Sequence, residues 1–599
     1  MSVDVILAKT SVVTVVAALI LAACYHYRQP SARRAWPVQC RLGYAAVGDV
    51  FAKYFVSSVI IARDKMLVDV ILVKTSVVVA ALILAACYHY RQPSAASPKG
   101  WAGAGGGDAE TIRHKQPHIL FIVADDLGWN DVGFHNKDMR TPNLDALAHS
   151  GVILNRSYVQ PSCSPSRSCL MTGRYAHHTG FQNVLHHCQP YGLNSSMLTI
   201  AQRLKQLGYS THAIGKWHLG YCNEKFLPTS RGFDSFYGYY GGSQDYYTHF
   251  NGDGAKAEVF SGYDFHHDIG EKRSIDRAAE GVYSTEAFAK ETISIVKKHS
   301  TSTPLYIYLA FQAIHAPLQA PQRYWKMFKD VAWHNRRAVS AMATAMDGAV
   351  GNIVKALKKR GIWDNTLVVF TSDNGAQVRY GGSNYPLRGN KGTVWEGGTR
   401  SPGFVHGKML GKTKHTHNGI MHVTDWYPTL VSAAGGHLGD SEVDGVDQWS
   451  ALRNNLPSPR TGFPYRLDRT RGIFAIREGK YKYIRGKDPS KHPAKNTKLN
   501  LWYPAAVDEA TFVTFYRELH FYENITHKVE TGPWLFDLDA DPLEMSNLYA
   551  KLPGVAAALD RRVDEYMTNY VDPMGIHYSR VDPKCNPALR NGTWDAGWC

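Results

Sequence analysis

Six short clusters in this 599-residue chain carry residue types suited to chemistry on an anion. Asp125 and Asp126 are adjacent carboxylates that repel each other, so a hard cation is their natural partner. Cys163 follows Gln160-Pro161-Ser162 and precedes Pro165, a setting that predicts a constrained turn. A helix is expected from Ser166 to Thr172, stopping near Gly173. A cysteine at a helix N-terminus is placed for anionic chemistry, and Arg167 adds a fixed positive fork one turn on. Lys216 and His218 share one face of an extended segment, where a cation and an imidazole suit an oxyanion and a proton transfer. His315 follows an apolar run, Asp373-Asn374 adds oxygen ligands, and Lys391 sits in a glycine-rich loop at 388–400. Each cluster has an ordinary alternative: a loop thiol or disulfide, an Asp-Asn-Gly turn, a packed histidine, a solvated lysine.

The elements that must position them are legible around each cluster. The apolar runs 118–124, 305–311 and 366–372 read as strands covered on both faces. Asp125-Asp126, His315 and Asp373-Asn374 follow their C-terminal ends, the usual ligand side of an open α/β sheet. A helix begins at Thr141-Pro142 and returns to a strand at 152–154. A second helix, 199–207, leads to the strand 210–215 before Lys216, and another starts at about His422. Residues 455–470 read as a connection, and strands at 474–477, 481–484 and 534–538 with a helix at 555–567 form a small α+β unit.

Composition narrows the class. Lys and Arg exceed Asp and Glu by 16, which suits an anionic partner, but no single basic block indicates a nucleic-acid tail. The 388–400 loop lacks Walker spacing, so a nucleotide site is not read there. Twenty-seven histidines allow large charge changes between about pH 5 and 7, as in an acidic compartment. Residues 5–24 are mostly apolar, and 68–95 repeat 3–32 almost residue for residue. Each copy reads as a secretory signal or N-terminal membrane anchor. The pair reads as a duplicated exon or an overextended gene model, with Met66 as an alternative start. Residues 101–107 form a Gly/Ala-rich linker. Sequons at Asn155, Asn194, Asn524 and Asn591 favour the secretory pathway, with a lysosomal or extracellular destination.

Cys163-x-Pro165-Ser166-Arg167, followed by Leu170-Met171-Thr172-Gly173-Arg174, resembles the signature of the type I sulfatases. The remaining clusters match that family in order from about residue 117 to 440, and the C-terminal unit matches as well. The resemblance implies an α/β fold, an alkaline-phosphatase-like mixed sheet flanked by helices, with a smaller C-terminal α+β domain. Residues 1–116 would be leader and linker, 117–454 the catalytic domain and 455–599 the C-terminal domain. It implies that a formylglycine-generating enzyme converts Cys163 to formylglycine, an aldehyde whose hydrate is the nucleophile. Asp125, Asp126, Asp373 and Asn374, completed by the modified Cys163, would hold one Ca²⁺ in preference to Mg²⁺. Lys216, Lys391 and His315 would bind the sulfate, with Arg167 positioning the nucleophile. Asp373 would act as base, His315 or Lys391 would protonate the leaving alcohol, and His218 would take the proton that releases sulfate.

Several segments, among them 141–148, 215–220, 395–400 and 422–430, are similar to the arylsulfatase B-like branch. Its best-known members hydrolyse 4-sulfates of N-acetylgalactosamine, so the expected substrate is a sulfated carbohydrate or aryl sulfate. The resemblance pairs Cys188 with Cys585; other disulfides of the branch lack their cysteines here, and a Cys222–Cys599 pair is expected in their place. Residues 485–530 follow no pattern of the family. Two rivals stand beside this reading. One is a phosphoesterase of the same superfamily, which would place Ser or Thr at the nucleophile. The other is an inactive sulfoglycan-binding protein, which would need a broken site.

Overall fold

The computed structural model describes residues 116–252, 260–438, 442–486, 532–577 and 581–599. The duplicated leader, the linker and the sequon at Asn524 lie outside the described residues. Among the described residues, no helix is long and apolar enough to cross a membrane.

The larger sheet is built from β1 (His118–Ala124), β2 (Val152–Tyr158), β3 (Ser210–Lys216) and β4 (Ser235–Tyr239). A two-stranded ribbon, β5 (Phe250–Gly252) and β6 (Ser261–Tyr263), stands apart. The sheet continues with β7 (His266–Ile269), β8 (Leu305–Ala310), β9 (Thr366–Ser372), β10 (Phe404–His406) and β11 (His415–His422). Its order is β11-β2-β10-β9-β1-β8-β3-β4-β7. The central run β9-β1-β8-β3-β4 is parallel, while β10 opposes both its neighbours and β7 opposes β4. The sheet is therefore mixed, and the C-terminal ends of β1, β3, β8 and β9 open on one edge.

Strand alternation divides the core. Ile119, Phe121 and Val123 of β1 face one cluster, with Ile200, Leu204, Trp426 and Leu430. Leu120, Ile122 and Ala124 face the other, with Phe288, Val339, Met342 and Val350. The second cluster is covered by helices Ser284–Lys298 and His334–Arg360, neither of which the sequence reading assigned.

The smaller sheet comprises β12 (Gly462–Asp468), β13 (Ile473–Glu478), β14 (Tyr481–Gly486) and β15 (Trp534–Asp537), all antiparallel in that order. β12 corrects the reading of 455–470 as a connection. Pro464 is tolerated because β12 is an edge strand and its register shifts between Pro464 and Arg466. One face packs on helix Pro553–Tyr566 through Leu467, Ile476, Tyr483 and Leu535. The other, through Phe463, Tyr465, Ile484 and Trp534, packs on Tyr158, Tyr175 and Trp395 of the larger layer. Disulfides Cys188–Cys585 and Cys222–Cys599 tie the C-terminal tail to loops of that layer, each with Cα atoms 5.3 Å apart.

Candidate active site

The six clusters converge on the open edge of the sheet. Asp125 and Asp126 leave β1, Lys216 ends β3, His315 follows β8, and Asp373-Asn374 leave β9. Parallel neighbours bring these ends side by side: β1 lies between β8 and β9.

Cys163 opens the next element. The helix runs Cys163–Thr172, three residues earlier than the sequence predicts, with extended Ser162 before it and Gly173 closing it at φ 67°. Pro165 sits in the first turn, where a missing N–H costs no helical bond. The whole helix is buried, and its cysteine shares space with Lys216, Lys391, Asp373 and Asp125. Burial outweighs both lysines and raises the Cys163 thiol above its ordinary value. The encoded side chain is thus a protonated thiol near neutral pH, unsuited to attack as thiolate.

Three cations meet three carboxylates. Lys216 Nζ lies 2.6 Å from Asp125 Oδ2, and Lys391 Nζ lies 2.6 Å from Asp126 Oδ1. Arg167 donates from Nε and Nη2 to Asp373 Oδ2 at 3.1 and 2.8 Å. Its Nη1 donates to the Lys216 carbonyl at 3.0 Å and to the Tyr308 hydroxyl at 3.3 Å. Burial opposes charge on Asp125 and Asp126, but Lys216, His315 and Arg167 for the first, and Lys391 and His315 for the second, hold both carboxyls below their ordinary range. His315 Nε2 is 3.8 Å from Asp126 Oδ2, and burial with Lys391 lowers its pKa.

Two oxygens at this centre, Asp125 Oδ1 and Asn374 Oδ1, are buried without a hydrogen-bond partner among the described residues. The Asn374 amide nitrogen donates to Asp126 Oδ1 at 2.7 Å and to the Gly375 carbonyl at 3.0 Å, while the amide oxygen takes no partner among the described residues. Asp126 sits at φ 60°, a left-handed conformation costly for a non-glycine residue. Buried, unpartnered oxygens beside paired carboxylates fit a hard divalent cation. Asp125, Asp126 and His315 also have ligand atoms within 4.8 Å of one another.

His218 departs from the expectation. β3 ends at Lys216, and His218 takes φ 58°, so strand alternation no longer relates the two. Its Nε2 lies 2.8 Å from the Leu185 carbonyl, and Nδ1 is buried without a partner among the described residues. Burial, with Lys216, lowers its pKa well below 6.5, so the ring is neutral. A neutral ring that donates from Nε2 to a carbonyl must leave Nδ1 bare as an acceptor.

Of the glycosylation candidates, Asn194 and Asn591 are exposed. Asn155 is partly buried on β2, its amide engaged by Asn418 and Arg400. Sequence reasoning did not single out Tyr308 beneath Arg167, Leu185 against His218, or Glu396 and its partner Lys482. Nothing in their local patterns marks them, because each acts through a contact distant in sequence.

The Sulfatase family profile matches residues 117–436. Arylsulfatase J of Mus musculus is 39% identical over 494 residues, covering 81% of this chain and 81% of that one. N-acetylgalactosamine-6-sulfatase of Mus musculus is 31% identical over 389 residues, covering 61% of this chain and 71% of that one. The crystal structure of Ps i-CgsB in complex with k-i-k-neocarrahexaose superposes with a TM-score of 0.63 at 29% identity, covering 76% of this chain and 94% of that one. With a profile spanning more than half the sequence and a relative aligned over four fifths of it, this chain belongs to the type I sulfatase family.

Proposed function

We propose that the protein hydrolyses sulfate monoesters of sulfated sugars and aryl alcohols at the Cys163 centre, and N-acetylgalactosamine 4-sulfate is the substrate we favour. The observation that carries this reading is the buried Cys163 at a helix N-terminus, ringed by Lys216, Lys391, Asp125 and Asp373. Asp125, Asp126, Asp373 and Asn374 would hold one Ca²⁺, and the two unpartnered buried oxygens support that assignment. Bound Ca²⁺ would supply Lewis-acid stabilisation of the sulfate oxygens, and conversion of Cys163 to formylglycine would supply the nucleophile. His315 is kept as a sulfate partner, since a hard cation favours the oxygen donors already present.

The remaining roles belong to side chains of this chain. Lys216 and Lys391 neutralise charge on the sulfate oxygens. Arg167 holds the Asp373 carboxylate in one orientation, ready to accept a proton as base. His315, at the partly open side of the cluster, or Lys391 hands a proton to the departing alcohol. His218 Nδ1 accepts the proton that accompanies sulfate release, consistent with its neutral ring and bare nitrogen. The same reading divides the protein into a catalytic domain, 117–454, and a C-terminal domain, 455–599. Two disulfides and exposed sequons at Asn194 and Asn591 support passage through the secretory pathway.

Mass spectrometry of the tryptic peptide containing Cys163, from protein made in a competent eukaryotic host, tests the central step. An aldehyde mass with turnover of an aryl sulfate is expected, and Cys163→Ala abolishes that turnover. An unmodified thiol, or activity retained by Cys163→Ala, overturns the reading. Assays with sulfated N-acetylgalactosamines, from acidic to neutral pH, separate the 4-sulfate from the 6-sulfate.

A further inference from the structure

Lys391 is carried by the 388–400 loop, and that loop is where three parts of the site meet. The Lys391 N–H donates to the Ala376 carbonyl at 3.0 Å, and Gly392 N–H donates to Pro161 in the turn before Cys163 at 2.7 Å. Gly375 N–H, next to Asn374, donates to the Gly398 carbonyl at 2.9 Å. A Cβ on Gly375 would stand 1.8 Å from the Gly397 carbonyl oxygen, so the two backbones touch. Val159 N–H, at the end of β2, donates to the Thr399 carbonyl at 2.8 Å. The loop thus registers Lys391, Asn374 and the Cys163 turn against one another.

Glu396 fixes the loop from beneath. It is fully buried, and its carboxylate accepts from the hydroxyls of Tyr158 at 2.8 Å and Tyr465 at 2.9 Å. Lys482 of β14, also fully buried, places Nζ 3.0 Å from Glu396 Oε1 and 2.7 Å from Glu544 Oε1. Glu544 Oε2 accepts from the Glu396 backbone N–H at 2.8 Å, and the Glu544 carbonyl accepts from Arg388 at 3.0 Å. Glu544 adopts φ 58° to make these contacts. Two carboxylates and one ammonium removed from water are a poor source of stability, since apolar replacements of similar volume often serve as well.

We infer that Lys482 and Glu544, both from the C-terminal sheet unit, are positioning residues: they hold Glu396, and Glu396 holds the Lys391 loop in register with Asn374 and the Cys163 turn. The inference rests on the role proposed for Lys391. The small sheet is then part of the catalytic apparatus rather than an appendage.

A kinetic cycle on the full-length protein tests this, with rates expressed per formylglycine-bearing molecule and a chromogenic aryl sulfate as probe. Displacement of a positioned group by about 1 Å costs on the order of a hundredfold. Lys482→Met is therefore expected to lower kcat/KM by about ten- to a hundredfold. In a Lys391→Ala background the same change should cost less than about threefold, because the group it positions is gone. A Lys482→Met loss that multiplies in full with that of Lys391→Ala overturns the inference, as does wild-type kcat/KM in Lys482→Met. If Lys482→Met is not recovered folded, Glu544→Gln carries the same cycle. Hydrogen exchange gives a readout independent of turnover: Lys482→Met should lose protection across 388–400 while β1 and β9 keep theirs. Unchanged protection in that segment refutes the clamp, whereas an inactive wild type with the loss of protection counts against the proposed function alone.

Discussion

Replacing Arg167 by lysine keeps the charge and removes the fork. Arg167 is 1% exposed and uses all three guanidinium nitrogens: two on Asp373 Oδ2, and the third on the Lys216 carbonyl and the Tyr308 hydroxyl. A single ammonium has no planar fork with which to span Asp373 and the Lys216 carbonyl together. The Arg167→Lys variant therefore forfeits about two hydrogen bonds from a charged donor, each worth about 1.5 kcal/mol at the low end of the usual range. The sum of about 3 kcal/mol corresponds to about a hundredfold in kcat/KM, provided the contacts are needed in the transition state. Arg167→Met should lose more, since it leaves Asp373 buried without its cation. The assay is kcat/KM on an aryl sulfate, normalised to the formylglycine content of the Cys163 peptide, because Arg167 lies within the modification motif. An Arg167→Lys enzyme within about threefold of wild type would refute the claim that fork geometry holds Asp373.

Other outcomes follow from the same geometry. Chelation should lower the melting temperature, and Ca²⁺ at a hundred times its Kd should restore about 2.7 kcal/mol; a melting curve indifferent to chelator and Ca²⁺ would sink the metal assignment. Asn374→Ala should weaken that rescue, because it deletes one of the two unpartnered oxygens. Cys585→Ser opens a link between positions 397 residues apart and should cost several kcal/mol by loop-closure entropy, read as a lower melting temperature that reductant reproduces in the wild type. Acid should destabilise the fold: burial lowers His135 and His212 to about 4 and His177 to about 3. A folded pKa below the unfolded value gives stability that is complete above about pH 6.5 and lost as pH falls toward 4. A melting temperature higher at pH 5 than at pH 7 would contradict this.

Much of the site was legible because its residues sit at strand ends. The runs 118–124, 305–310 and 366–372 have continuous apolar centres and are buried along their whole length, and a strand covered on both faces announces itself by such a run. The polar residue that ends each run is then a ligand candidate by position. Helix His334–Arg360 was equally readable, with Val339, Met342, Met346, Val350 and Ile353 at helical spacing on its buried face. It carries no residue of the site, so nothing in its pattern points to chemistry. β12 was missed for the opposite reason. The prolines, arginines and glycine of 455–470 signal a loop, and only the sheet edge and the register shift after Pro464 make a strand of 462–468.

The sequence by itself determined the identities of the reactive groups, their order along the chain and their attachment to strand ends, because strand periodicity and turn chemistry are local properties. Tertiary structure alone decided three things. It fixed the pairing of three cations with three buried carboxylates, which depends on parallel neighbours brought together from β1, β3 and β9. It set the tautomer available to His218, which depends on a carbonyl 33 residues away. It also brought Lys482 beneath Glu396 across 86 residues of sequence. Charges out of water interact strongly over a few ångströms, and no local pattern encodes which distant partner will occupy that distance.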